Sequence, residues 1–210
     1  MRVRVKLCGV TRLEDALAAV DLGVDALGFN FVDASPRRIE EERARRIVAA
    51  LPPLVTAVGV FADARPAAME ATARRIGLQA LQLHGDETPE DGAALTLPWF
   101  KAHRVTPAFQ LEDVARYGSG TFLLDAHLPG LKGGTGRTLD WSVARRAAAY
   151  GRVILAGGIG PGNVRRAIEA ARPYAIDVNS GVESAPGVKE MALLRQLMIG
   201  VAGATAEDRA

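Results

Sequence analysis

Short apolar or β-branched runs alternate with longer stretches rich in Ala, Arg, Glu and Leu along the whole chain. Strand side chains alternate between two faces and helical ones recur every three to four residues, so this rhythm predicts repeated β-α units. The strands fall at Val3–Leu7, Asp25–Phe31, Val55–Phe61, Gln79–Leu83, Trp99–His103, Thr121–Asp125, Arg152–Ala156 and Tyr174–Val178. Helical patterns lie at Leu13–Leu22, Glu40–Leu51, Pro66–Ile76, Trp141–Tyr150, Gly162–Ala171 and Lys189–Ile199. Two shorter segments, Pro89–Leu95 and Gln110–Tyr117, have room for a turn or two of helix.

Eight strands separated by helices admit an open doubly wound sheet or a closed barrel. The first turn, Cys8-Gly9-Val10-Thr11-Arg12, lacks the glycine pattern that a dinucleotide-binding open sheet needs to approach a pyrophosphate. Strand parity adds to this. Val3, Val5 and Leu7 share one face against Arg4, Lys6 and Cys8; Leu81 and Leu83 oppose Gln82 and His84; Tyr174, Ile176 and Val178 oppose Asp177 and Asn179. Polar groups thus gather on one face near the strands' carboxyl ends, as expected of a barrel with its site at the top. The expected fold is α/β, a single (β/α)8 TIM barrel over residues 1–200 with a C-terminal tail at 201–210. At 210 residues it is a compact version of an architecture that usually takes about 250.

Composition narrows the setting. With 49% hydrophobic residues the chain can close a sizeable core. Its 26 Lys and Arg against 24 Asp and Glu leave no basic block for nucleic acid or an anionic membrane. One cysteine makes no internal disulfide, charges thread the opening MRVRVKL, and no apolar run approaches the roughly 20 residues that span a bilayer. These features imply a cytoplasmic protein with a small-molecule partner and neither a nucleic-acid nor a membrane partner. Monomer and homodimer both stay open.

Strand ends are where chemistry is expected. Cys8 follows the first strand, with Lys6 on the same face to favour its thiolate; the bland alternative is a small buried hydrophobe. Asp125 ends Phe122-Leu123-Leu124 and precedes a glycine-rich segment, Gly130 to Gly136. There a carboxyl is either a proton donor with its pKa raised by desolvation or a turn cap. Leu155-Ala156-Gly157-Gly158-Ile159-Gly160-Pro161-Gly162-Asn163 runs from strand to helix through glycines suited to an anion, and Asn179-Ser180-Gly181-Val182 follows the last strand. Loops after strands seven and eight often hold phosphate in such barrels. Arg37, in Ser35-Pro36-Arg37-Arg38, can present a fork to a carboxylate or simply be solvated, as Arg38 is expected to be. His84, His103 and His127 show no metal-ligand spacing, so no metal is expected. The loop Gly133-Gly134-Thr135-Gly136-Arg137-Thr138 lacks the ending of a P-loop and reads as a lid or turn.

Together these residues resemble the phosphoribosylanthranilate isomerases. The resemblance runs along nearly the whole chain. It is carried by Lys6-Leu7-Cys8-Gly9-Val10-Thr11, Gly28-Phe29 with Ser35-Pro36-Arg37, and Gln82-Leu83-His84-Gly85. Leu123-Leu124-Asp125 with Gly133-Gly134-Thr135-Gly136, Leu155-Ala156-Gly157-Gly158 and Asp177-Val178-Asn179-Ser180-Gly181-Val182-Glu183 complete it. Leu7 and Val10 stand where the family often has isoleucine. The resemblance implies a cofactor-free barrel that isomerises N-(5-phosphoribosyl)anthranilate in tryptophan biosynthesis, with Cys8 as general base and Asp125 as general acid. It further implies Gly157, Gly158, Ser180 and Gly181 around the phosphate and Arg37 on the anthranilate carboxylate. His84 and Asp177, inward by parity, line the sugar pocket in this reading. Two rivals remain: a bifunctional isomerase also serving the histidine-pathway aminoaldose, which resembles a different pattern with aspartate at the first strand end, and a non-catalytic phosphate-binding barrel.

Overall fold

Eight parallel strands close on themselves in chain order, the first pairing with both the second and the eighth. They are β1 Arg4–Leu7, β2 Ala26–Asn30, β3 Thr56–Phe61, β4 Ala80–Leu83, β5 Trp99–Arg104, β6 Thr121–Asp125, β7 Arg152–Ala156 and β8 Ala175–Val178. The computed structural model describes residues 2–125 and 141–207. The glycine-rich segment expected to form a lid lies outside them, as does His127.

Helices cover the outside: α1 Leu13–Asp21, α2 Glu41–Ala49, α3 Pro66–Ile76, α4 Pro89–Ala93, α5 Trp141–Ala147, α6 Val164–Ala171 and α7 Met191–Glu207. A 3-10 turn, Leu111–Tyr117, takes the place of a helix between β5 and β6. In α6 the buried residues are Val164, Ala167, Ile168 and Ala171, one stripe at helical spacing facing the sheet. Thr88 and Asp91 form a reciprocal capping box that lets five-residue α4 start where its sequence is weakest as a helix. Outward strand positions Leu7, Leu27, Phe29, Leu83, Leu124, Leu155 and Ile176 are sealed under the helices. The inward positions Val58, Phe100, Ala102, Leu123, Ile154 and Ala175 form a second apolar cluster inside the barrel. No helix among the described residues is long and apolar enough to cross a membrane.

Three expectations need correction. Tyr174 does not share the outward face of Ile176 and Val178. It lies just before β8 and packs against the inner cluster, with the guanidiniums of Arg4 (4.5 Å) and Arg152 (5.4 Å) over its ring. A strand foot is free of the alternation that governs its middle, and two cations on an aromatic face outweigh it. Lys189 is not helical: it sits in a hairpin, β9 Glu183–Ala185 with β10 Val188–Lys189, and α7 begins after it. The stretch assigned to a tail continues α7 to Glu207, with Val201 and Ala204 buried in the core.

His103 on β5 sits among Phe109, Tyr117 and Phe122, and its Nε2 has no hydrogen-bond partner among the described residues. Burial, helped by Lys101, holds its pKa down to about 4. An unfolded histidine titrates near 6.5, so this neutral ring contributes stability in full above that value and loses it as pH falls toward about 4. The expected result is a drop in melting temperature between pH 7 and pH 5 that is smaller in His103→Phe, read by thermal denaturation of both proteins at about those two values.

Candidate active site

The carboxyl ends of the strands open into a cavity of about 420 Å3 lined by Cys8, Arg37, Gln82, His84, Arg104, Asp125, Gly157, Gly158, Asp177, Ser180 and Gly181 among others. That volume suits a small ligand. Every site residue singled out from the sequence lines it. Arg104 is the addition: it closes β5 in register with Asp125, and arginines at strand ends were not distinguished from surface ones by pattern alone.

Cys8 extends β1, its N–H bonded to the Val178 carbonyl of β8 (2.8 Å). It is buried, like Lys6 and Asp177. Lys6 Nζ donates to Asp177 Oδ1 at 2.8 Å across the seam where the last strand meets the first. Gly28 on β2 makes room for both groups of β1, because a Cβ there would stand 3.0 Å from Cys8 Sγ and 3.0 Å from Lys6 Nζ. Burial opposes the Lys6 charge, but Asp177 and Cys8 overcome it and raise its pKa, so a lasting cation stands beside the thiol. Burial pushes the Cys8 thiol up, while Lys6 and Lys189 pull against that and Asp177 adds to it. Burial likewise pushes Asp177 up against Lys6.

A single cysteine makes this balance measurable. Thiolate ultraviolet absorbance, with Cys8→Ser as the blank, is expected to appear above the ordinary thiol range near 8.5. In Lys6→Met it moves higher still, because the opposing cation is gone. A step at or below the ordinary range in the wild type would contradict the burial argument.

On the far side, the His84 Nε2 is 3.9 Å from Asp125 Oδ2. The Gln82 amide nitrogen donates to His84 Nδ1 (2.8 Å), which leaves the ring's proton on Nε2, toward the carboxylate. Burial lowers the His84 pKa against the pull of Asp125 and Asp177, favouring the neutral ring. The Asp125 side chain is 22% exposed at the cavity wall, so it is within reach of both ligand and solvent.

The two glycine turns pack on each other. Gly157 and Gly158 take left-handed φ of 89° and 68°, and Asn163 shapes the turn by accepting from Gly160 N (2.9 Å) and donating to Gly158 O (2.9 Å). A Cβ on Gly181 would fall on the carbonyl oxygen of Ile159. Backbone therefore lines this end of the cavity, at the entry to α6, a setting that favours anions.

Arg37 reaches the cavity already paired. Glu183 accepts from its Nε at 3.0 Å and its Nη2 at 2.7 Å, a partner the sequence reading did not supply. Arg38, by contrast, is exposed and paired with Asp33 and Glu40 on the surface. Among the described residues no group of three or more His, Cys, Asp or Glu side chains is placed to hold a metal ion.

A closed barrel with a carboxyl, a thiol and two packed glycine turns at the carboxyl ends of its strands has the architecture of the barrel enzymes. Residues 5–199 match the family described as N-(5'phosphoribosyl)anthranilate (PRA) isomerase. The chain is 50% identical to N-(5'-phosphoribosyl)anthranilate isomerase of Geobacter sulfurreducens over 93% of its length and 97% of that protein's. The crystal structure of phosphoribosyl anthranilate isomerase from Thermotoga maritima superposes with a TM-score of 0.90 at 41% identity, covering 96% of this chain and 99% of that one. A further structure of such an isomerase holds reduced 1-(o-carboxyphenylamino)-1-deoxyribulose 5-phosphate, at TM-score 0.86, 39% identity and coverage of 96% and 99%. The chain belongs to the phosphoribosylanthranilate isomerase family.

Proposed function

We propose that Asp125 and Cys8 act as the acid and the base of an Amadori rearrangement on N-(5-phosphoribosyl)anthranilate. The chain is an isomerase of tryptophan biosynthesis. The observation that supports their acting on one substrate is that Cys8 and Asp125 line one cavity together with the paired glycine turns. Asp125 gives a proton to the furanose ring oxygen, and the ring opens to a Schiff base. Cys8, as thiolate, takes the proton from the sugar C2; the electron pair moves toward the protonated nitrogen and leaves an enolamine, which tautomerises to the ketone. The substrate's own nitrogen is the electron sink.

Lys6, held by Asp177 at 2.8 Å across the seam, supports the thiolate against burial, and the neutral His84 offers its Nε2 proton near Asp125. Gly157, Gly158, Ser180 and Gly181 receive the phosphate, and Arg37 the anthranilate carboxylate. The small phosphorylated substrate is the one partner this chemistry needs, and a single copy brings together all the site residues named. The cytoplasm is the compartment proposed, since a phosphorylated, carboxylated substrate does not cross a bilayer and has to meet the enzyme where it is made. The test is to generate phosphoribosylanthranilate in situ and follow loss of its fluorescence. A rate no faster than spontaneous breakdown overturns the reading.

A further inference from the structure

Arg37 is the outermost member of a buried chain of charges. Glu183, whose side chain is 4% exposed, takes the Nε and Nη2 edge of the guanidinium, with Nε–Oε1 and Nε–Oε2 both 3.0 Å and Nη2–Oε2 2.7 Å. The same carboxylate accepts from Lys189 Nζ at 2.7 Å and from the Gly187 N–H at 3.2 Å. The Lys189 side chain is wholly buried. Its Nζ also donates to the Cys8 carbonyl (2.6 Å) and to Asn179 Oδ1 (3.1 Å), and its backbone N–H donates to the buried Asp15 carboxylate on α1 (3.0 Å).

Two features of this arrangement are costly unless they are used. Burying an ammonium needs full compensation, and here burial lowers the Lys189 pKa while Glu183 holds it up. Gly9 gives up a side chain so that Arg37 can lie across it: a Cβ would stand 2.6 Å from Arg37 Cδ and 2.9 Å from Asn179 Oδ1, in a backbone already at φ 70°. An Arg–Glu pair alone is neutral and offers an approaching carboxylate no net attraction. With Lys189 in contact, the three side chains that meet at Glu183 carry two positive charges and one negative, while the Asp15 carboxylate is held on the Lys189 backbone N–H. The clasp occupies the side edge of the guanidinium and leaves the Nη1–Nη2 end, the edge suited to a bidentate carboxylate.

We propose that Glu183, balanced by buried Lys189, is a positioning residue that aims Arg37 at the substrate's carboxylate and so sets the site's preference for a carboxylated aryl group. This rests on the reading of Arg37 given above. Lys189 links that preference to the base, because its third bond fixes the carbonyl of Cys8 itself.

The experiment compares two probes by calorimetry: reduced 1-(o-carboxyphenylamino)-1-deoxyribulose 5-phosphate and its counterpart lacking the carboxyl group. The wild type is expected to favour the carboxylated probe, and Arg37→Ala to lose that preference. Glu183→Gln and Lys189→Met are expected to reduce the preference by about tenfold or more while binding the other probe as the wild type does. Glu183→Asp, which keeps the charge, is expected to restore part of it, which loss of packing would not explain. If Arg37→Ala keeps the preference, the reading of Arg37 fails and the proposal with it. If Arg37→Ala loses it but Glu183→Gln and Lys189→Met keep it, the positioning role alone is overturned. Should Glu183→Gln fail to fold, Lys189→Met decides by the same criterion.

Discussion

Asp125→Asn is expected to lower turnover by about 10²- to 10⁴-fold, and Cys8→Ala by a similar factor, the span usual for one proton-transfer group. The asparagine keeps the shape of the carboxyl group and its place beside His84, 3.9 Å away, and removes only the proton available to the ring oxygen. Ring opening then has to borrow a proton from solvent. Alanine at position 8 leaves Lys6 paired with Asp177 and removes the thiol proposed to take the proton from carbon. Substrate binding should change far less, because neither atom is assigned to hold the phosphate or the carboxylate. The measurement is the initial rate of fluorescence loss at saturating substrate. Wild-type turnover in Cys8→Ala ends the assignment of the base, and wild-type turnover in Asp125→Asn ends that of the acid. The double variant should be little slower than the worse single one, since the two groups act in successive steps and the slower step governs turnover.

Gly181→Ala is the second large effect. The added Cβ would meet the Ile159 carbonyl, with its carbon at 2.9 Å and the Gly160 Cα at 3.0 Å. These are backbone atoms, so no rotamer change relieves the clash, and the turns after β7 and β8 have to part. Losing one backbone donor to a charged ligand costs about 1–3 kcal/mol, or roughly 5- to 150-fold in KM. Inorganic phosphate, used as a competitive inhibitor, should weaken by a similar factor if the cradle is a phosphate site. An unchanged inhibition constant beside a raised KM would move the phosphate elsewhere.

The architecture was legible because its causes are local. β-branched runs bounded by helical periods mark each strand, and the observed ends differ from the expected ones by a residue in most cases, as with Ala26–Asn30 against 25–31. The glycine turns were legible for a related reason: positive φ at Gly157 and Gly158 restricts the residue type. Asp177 could be placed inward by alternation, yet its pairing with Lys6, 171 residues away, exists only because the barrel closes. Glu183 and Lys189 were out of reach on the same ground. Lys189 precedes a helical run and looks like part of it, and its contacts come from residues 8, 179 and 183, which no short-range pattern connects. Arg37 was found, but its partner lies 146 positions downstream. Charge that is buried is read from its neighbours, and those are assembled by topology.

The join between β1 and β8 has a temporal side. Contacts between distant parts of a polymer are slow to form, because loop closure is an entropic cost met before any reward. On the ribosome the sulfur of Cys8 precedes Asp177 by 169 positions and Lys189 by 181. Until both are made, the thiol has Lys6 beside it in sequence but lacks Asp177 and Lys189, the other two charges that act on it. Competence is thus withheld until the eighth barrel strand and the hairpin after it have been made.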